Sequence, residues 1–183
     1  MQESEDTPGR LGELIRFGKI TSVDLAARRC VVTAGDVVTG PIRWLQVRAG
    51  RTRTWSPPSL NEQCLLLCPD ADIAAAVALL GLSSNEFPPA GDSLRELVEF
   101  EDGAVLAYDP EAHLLEAILP AGGALRVEAP AGVTIVGDVA IEGNVTIEGG
   151  VESTDDIIAG GISLMTHTHG GVQTGGSETG EPS

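Results

Sequence analysis

Residues 133–151, VTIVGDVAIEGNVTIEGGV, alternate strictly between two kinds of side chain. The odd positions read valine, isoleucine, glycine three times over and end on Val151, whereas the even positions are mostly polar. A two-residue period is typical of a β-strand with one apolar face and one wet face, and here a six-residue repeat is laid over it. Glycine at every third apolar place indicates close backbone approach or a bend.

This glycine-spaced segment cannot bury its own apolar face. A single-chain β-helix uses about three hexads per turn and needs stacked neighbours, and this chain has only about one turn of hexads. One turn leaves the apolar face and both strand edges open. We therefore predict an intertwined homotrimer in which the valines and isoleucines of three chains fill the axis. The alternative is an edge hairpin on a globular domain, which does not explain the sixfold glycine spacing.

Two of the three histidines lie in residues 165–176, MTHTHGGVQTGG. His167 and His169 leave the same side of an extended chain, so three chains meeting at an axis would present six imidazoles. Six nitrogens suit octahedral Fe(II), Ni(II) or Co(II) rather than tetrahedral zinc. A filled shell admits no substrate, so the metal would be structural and would clamp the chain ends. In a single chain the pair would be a poor site. His113 is expected to be a surface histidine on a strand.

The front of the chain carries several short β patterns. Residues 17–35 predict two strands around a turn near 24–28, and PIRWLQV (41–47) and QCLLLC (63–68) predict two more. Short strands with turns every 8–12 residues indicate a small barrel or sandwich. DIAAAVALLGL (72–82) is ambiguous between a helix and two short strands, because its alanines favour a helix.

Between the front and the repeat, the alternating runs VEFED, AVLAY and HLLEAIL predict a small meander. The chain is thus predicted to be all-β. Its predicted organisation is an N-terminal arm (1–15), a barrel (16–92), a β-meander neck (93–120), the repeat (121–164) and an apex with a tail (165–183).

Charge is divided unevenly along the 183 residues, whose net charge is −16. Residues 1–53 carry a net +3 and residues 54–183 a net −19. An acidic surface repels nucleic acid and anionic lipid, so we expect no nucleic-acid partner, whereas the mildly basic front could dock on an acidic one. An alternative function is a module that binds single-stranded nucleic acid or glycans through basic residues beside exposed aromatic ones. The candidate residues are four arginines near two tryptophans, but we expect both tryptophans to pack in the barrel. These residues are Arg43, Arg48, Arg51 and Arg53, with Trp44 and Trp55.

No catalytic set of residues is evident. Cys30, Cys64 and Cys68 are predicted to be buried free thiols, which fits folding in a reducing cytosol. The acidic pair Asp155 and Asp156 is expected to face water, and no glycine loop has the context of a phosphate site. The enzymatic alternative is a hexapeptide-repeat trimer with an interchain metal site, which would need many more hexads.

The order of these features resembles the baseplate assembly protein V family, the central spike of contractile-tailed phages. Three stretches of the front, GKITSVDLAARRCVV (18–32), PIRWLQVRAG (41–50) and WSPPSLNEQCLLLCPD (55–70), resemble its OB-fold barrel. APAGVTIVGDVAIEGNVTIEG (129–149) resembles its triple-stranded β-helix, and THTHGGVQTGG (166–176) its metal-binding apex.

The resemblance implies a structural, non-enzymatic spike without a small-molecule substrate. His167 and His169 of three chains would hold one iron ion, Fe2+, per trimer. The barrel would attach to the baseplate hub and tail tube, and sheath contraction would drive the spike through the host outer membrane during host-cell entry and genome ejection. The protein would be made in the host cytoplasm and lie at the baseplate tip of the virion. The resemblance also favours strand over helix in the alanine-rich stretch.

Overall fold

The structure, a computed structural model, describes residues 12–171 and 175. Its described part is nearly all-β, which confirms the predicted class, and no helix in it is both long and apolar enough to cross a membrane. The strands are β1 (Ile15–Asp24), β2 (Arg29–Ala34), β3 (Val37–Val38), β4 (Arg43–Trp44), β5 (Gln63–Leu67), β6 (Val77–Leu82), β7 (Glu96–Glu99), β8 (Val105–Asp109), β9 (Leu114–Ile118), β10 (Ile158–Ala159) and β11 (Ile162–Ser163).

The first six strands form one curled sheet in the order β3-β2-β1-β5-β6-β4. All pairs are antiparallel except β4 with β6, which run parallel. A separate bridge joins Cys30 of β2 to Ile42, whose amides each donate to the other's carbonyl at 3.0 Å and 2.8 Å. Because Ile42 immediately precedes β4, this bridge brings the two sides of the sheet together, and the sheet has the curl of an OB fold.

The barrel core comes from the alternating residues of its central strands. Ile20, Val32, Cys64 and Leu66 are fully buried, and the three cysteines are free and buried, as predicted. Burial raises the pKa of the Cys64 thiol to about 11, so that thiol is uncharged at neutral pH. Gly18 lies against this core, where a methyl group in its place would collide with the Cγ1 of Val32.

The ambiguous alanine-rich stretch is not an α-helix. It contains a 3-10 turn at Ile73–Ala75, whose start is capped by Asp72 Oδ1 accepting the Ala74 amide at 2.8 Å, followed by β6. Pairing with β5 therefore overrides the local helix propensity of the alanines. Two details differ from the sequence prediction: PIRWLQV supplies only the two residues of β4, and β3 was not predicted.

Strands β7, β8 and β9 form a three-stranded antiparallel meander, as their alternation predicts. Ala107 is buried in it, and Arg95 donates to Glu116 across it at 2.7 Å. The expectation that His113 lies on a strand is wrong, because it occupies the turn before β9 with a φ of 54°. It is exposed there, as expected.

The chain divides into two compact units between Arg126 and Val127. In the described part of the second unit, the strands are the short β10 and β11, which pair as a hairpin across Gly160 and Gly161. From residue 121 to residue 155 every residue is exposed, and no strand is formed.

Candidate functional site

The glycine-spaced segment (133–151) leaves its apolar face open to solvent in the single chain. Its seven odd-numbered valines and isoleucines are between 57% and 69% exposed. These residues are Val133, Ile135, Val139, Ile141, Val145, Ile147 and Val151. A soluble monomer rarely presents so long an apolar stripe, so this face is built to be covered.

The glycines of the repeat have backbone conformations that other residues avoid. Gly137, Gly143 and Gly149 have φ of 132°, 146° and 137°, and each stands at a bend in the chain. This region of φ is essentially restricted to glycine, because a side chain there clashes with the neighbouring backbone. No atom lies within 4 Å of the place of a Cβ at these positions, so it is the local bend that requires glycine in the single chain.

The even positions of the repeat carry its charge. Asp138, Glu142 and Glu148 are exposed, and no lysine or arginine occurs from residue 127 to residue 183. Val136 is the apolar exception on this face and is 94% exposed. The segment is therefore apolar on one face, whereas its charges, all of them negative, lie on the other.

The hairpin of β10 and β11 is fixed by a carboxylate that precedes it. The Oδ1 of Asp156 accepts the amide of Met165 at 3.1 Å, which ties the returning chain to its start. A hydrogen bond from Ser163, together with those from backbone amides, lowers the pKa of Asp156. Asp155 is exposed, as expected, and the half-buried Asp156 also organises the turn that leads to the histidines.

The structure brings the two predicted histidines together beyond this hairpin. The ring centroids of His167 and His169 are 5.1 Å apart, and the rings are nearly perpendicular, at 76°. The Nδ1 of His167 lies 2.8 Å from the carbonyl oxygen of Ser163. Because a carbonyl can only accept, Nδ1 is the donor in this hydrogen bond, and in the neutral imidazole Nε2 then carries the free lone pair. Metal-binding histidines are commonly oriented by this kind of bond.

The histidine pair is incomplete as a metal site within the described residues. Among those residues, no group of three or more histidine, cysteine, aspartate or glutamate side chains could hold a metal. The described part of one chain therefore offers two imidazole donors at this place.

Asp156 and Ser163 are the positioning residues that sequence reasoning missed. Asp156 reaches Met165, nine residues further on, only because the chain reverses at Gly160 and Gly161. The available signal was the Gly-Gly pair, which marks a tight turn between short apolar runs.

Two family models match this chain. The Type VI secretion system/phage-baseplate injector OB domain matches residues 16–82, the curled sheet, and the GpV Apex motif matches residues 161–183, which include both histidines. The spike protein of Escherichia phage P2 is 34% identical over 199 residues, covering 94% of this chain and 93% of that protein. The chain belongs to the phage baseplate V family. It is a structural spike protein of the phage tail, located in the virion, and not an enzyme, which sets aside the enzymatic hexapeptide-repeat alternative.

Proposed function

We propose that three copies of this spike protein wind residues 121–164 into a triple-stranded β-helix that pierces the host outer membrane when the sheath contracts. The observation that carries this proposal is the open apolar face of the glycine-spaced segment. Its valines and isoleucines are more than half exposed, and the segment forms no strand pairing within the chain.

In the trimer, the other two chains cover the apolar face of the segment and pair with its backbone. Burying each valine or isoleucine along a shared axis contributes roughly 1.5–3 kcal/mol, and seven such residues per chain make this the dominant stabilisation. The backbone amides and carbonyls pair between chains instead of remaining open edges. An axis of close-packed aliphatic side chains resists compression, which suits a part loaded along its length.

The glycine bends support a wound arrangement. They recur every six residues, at Gly137, Gly143 and Gly149, so each chain changes direction at regular intervals. A straight strand would need no such bends, whereas a chain that wraps around an axis must turn repeatedly. We call the triple-stranded β-helix of residues 121–164 the needle. Its anionic outer face keeps it from adhering to anionic lipid or nucleic acid.

The histidine pair fits one structural metal ion at the tip. His167 presents Nε2 as a donor, because Nδ1 is engaged by Ser163, and His169 lies beside it. Three chains supply six imidazole nitrogens, a set that suits Fe2+ and fills an octahedral shell. The metal contributes a cross-link between three chain ends that have little apolar surface of their own.

The barrel is the part that attaches the spike to the rest of the phage particle. Its mildly basic character contrasts with the acidic needle, and we assign it the contact with the baseplate hub and tail tube. The protein is made in the host cytoplasm and then assembled at the baseplate tip, from which it takes part in host-cell entry and genome ejection.

Light scattering of the full chain after size-exclusion chromatography tests the central proposal. We expect a mass of three chains in dilute, non-denaturing buffer, because the apolar stripes remain covered on dilution. A folded monomer at the same concentration would overturn the triple-stranded β-helix.

Elemental analysis tests the tip separately. We expect iron at one atom per three chains, and the double substitution His167→Ala, His169→Ala should remove it while the mass stays at three chains. His113→Ala is the matched control, because it removes an exposed histidine that is distant in sequence from the pair. This variant should retain the metal. Zinc at one per chain, or iron unaffected by the double substitution, would contradict the proposed ligands.

A further inference from the structure

A wide groove of about 700 Å³ opens on the barrel and is lined by five arginines and two tryptophans. These residues are Arg28, Arg29, Arg43, Arg48 and Arg53, with Trp44 and Trp55. Among the described residues that line it, none is an aspartate or a glutamate. In a chain of net charge −16, so many cations around one groove form a distinct surface feature.

One rim of the groove is a small loop closed on itself. Arg48 and Thr54 exchange backbone and side-chain hydrogen bonds, with the Arg48 amide donating to Thr54 Oγ1 and the Thr54 amide donating to the Arg48 carbonyl, each at 3.0 Å. Ala49 bridges Arg53 within the same loop. These bonds hold the backbones of Arg48 and Arg53 at a fixed separation.

The other rim is the turn between β1 and β2. Asp24 Oδ1 accepts the amide of Ala27 at 2.8 Å, and Arg28 has the left-handed φ of 56°. The guanidinium of Arg29 donates to the carbonyl of Arg28 at 2.9 Å. The turn is thereby shaped by local bonds rather than by an ion pair.

The tryptophans give the groove an apolar wall. Trp44 is only 6% exposed and donates its indole N–H to the Ser56 carbonyl at 3.1 Å, as expected of a core residue. Trp55 lies against it with ring centroids 5.4 Å apart but is 54% exposed. The expectation that both tryptophans pack within the barrel is therefore wrong for Trp55, which offers a ring surface beside the arginines.

The groove arginines have no acidic partner in the described part of the chain. Ion pairs in that part of the chain, such as those of Arg16 with Glu13, Lys19 with Glu86 and Arg95 with Glu116, involve no residue that lines the groove. Five like charges around one concavity repel one another, and bound carboxylates would relieve that repulsion. A guanidinium also matches a carboxylate with two parallel hydrogen bonds.

We propose that this groove is a docking surface for an acidic protein segment that carries an apolar side chain among its carboxylates. The acids pair with the arginines, and the apolar side chain packs on Trp55. The partner is the neighbouring baseplate component, a step that rests on the proposed placement of the barrel against the baseplate. Nucleic acid fits less well, because its phosphates continue beyond the groove and would meet a chain that is acidic elsewhere.

Fluorescence anisotropy on the full-length protein tests this docking. The probe is a labelled peptide of glutamates with a phenylalanine at its centre, and labelled oligothymidylate is the comparison. We expect the peptide to bind, with affinity falling as salt increases. The double substitution Arg48→Glu, Arg53→Glu should weaken binding on the order of tenfold or more, because it removes two charge pairs and adds two repulsions.

Arg51→Glu is the matched control, since Arg51 lies in the same loop but does not line the groove. We expect it to change binding by less than about twofold, as for a peripheral surface charge. Equal loss in this control, no binding by the unsubstituted protein, or tighter binding of oligothymidylate would overturn the proposal.

The mass of each variant separates this proposal from the triple-stranded β-helix. We expect Arg48→Glu, Arg53→Glu to keep the mass of three chains. A variant that falls to monomers would assign the groove to a contact between copies and would overturn docking of a different protein. A monomeric unsubstituted protein that still binds the peptide would overturn the trimer while leaving the groove proposal intact.

Discussion

In the barrel and in the glycine-spaced segment (133–151), every second residue lies on the same face of the chain, but the two regions differ in what covers the apolar side chains on that face. In the barrel, Val32 and Leu66 are fully buried because β1, β2 and β5 pair with each other within one chain. In the segment, Ile141 is 62% exposed and has no strand beside it. Alternation determines which side chains share a face, but only a neighbouring strand can cover that face.

The largest expected effect comes from charging the apolar face of the segment. Val145→Asp would place three carboxylates on the axis of the proposed trimer, where each buried charge without a partner costs several kcal/mol. We expect the trimer to be lost, as measured by light scattering, while the near-ultraviolet circular dichroism of the barrel tryptophans is retained.

Thr146→Asp is the matched control for that substitution, because it adds the same charge one residue away on the wet face. It should leave the mass at three chains. If both substitutions dissociate the protein equally, the two faces are not distinct and the comparison with the barrel fails.

A smaller effect is expected from the bends. Gly143→Ala forces a side chain into a φ of 146°, which costs roughly 1–3 kcal/mol per chain and would be repeated in each chain of the proposed trimer. We expect a lower temperature of trimer dissociation, measured by light scattering during heating. Gly150→Ala should have little effect, since that glycine has neither a positive φ nor an atom within 4 Å of its Cβ position.

The smallest effect on the trimer is expected from a substitution in the barrel, which should lower the stability of the barrel alone. Gly18→Ala pushes a methyl group into Val32, and overpacking of this kind costs about 1–3 kcal/mol. Urea unfolding followed by tryptophan fluorescence should report this loss, while the trimer mass is unchanged. Gly40→Ala, at an open position, serves as the control. Dissociation of Gly18→Ala into monomers would show that barrel and needle do not stabilise separately.

Much of the fold follows from the sequence where the signal is local. The turn between β1 and β2 and the alternation of the meander were sufficient to predict their strands. The parallel pairing of β4 with β6 was not predictable, because it joins Arg43 to Val77 across a long stretch of chain. The 3-10 turn at Ile73–Ala75 was also missed, since its cap by Asp72 competes with an alanine pattern that favours a helix.

The histidine pair was predictable because His167 and His169 are adjacent on one side of an extended chain. Its support was not predictable, because Asp156 and Ser163 act through backbone groups that the hairpin brings near. The exposure of Trp55 was missed for a related reason. Its neighbour Trp44 fills the space at the core, which leaves Trp55 outside.

The lack of basic residues beyond Arg126 determines how trypsin can digest the protein. Trypsin cleaves after lysine or arginine, so it finds no bond to cut in residues 127–183, folded or not. Arg126 is exposed, and the bond after it is also the boundary between the two compact units. Complete digestion therefore releases residues 127–183 as one intact peptide, whereas residues 1–126 are cut after each of their eleven lysines and arginines.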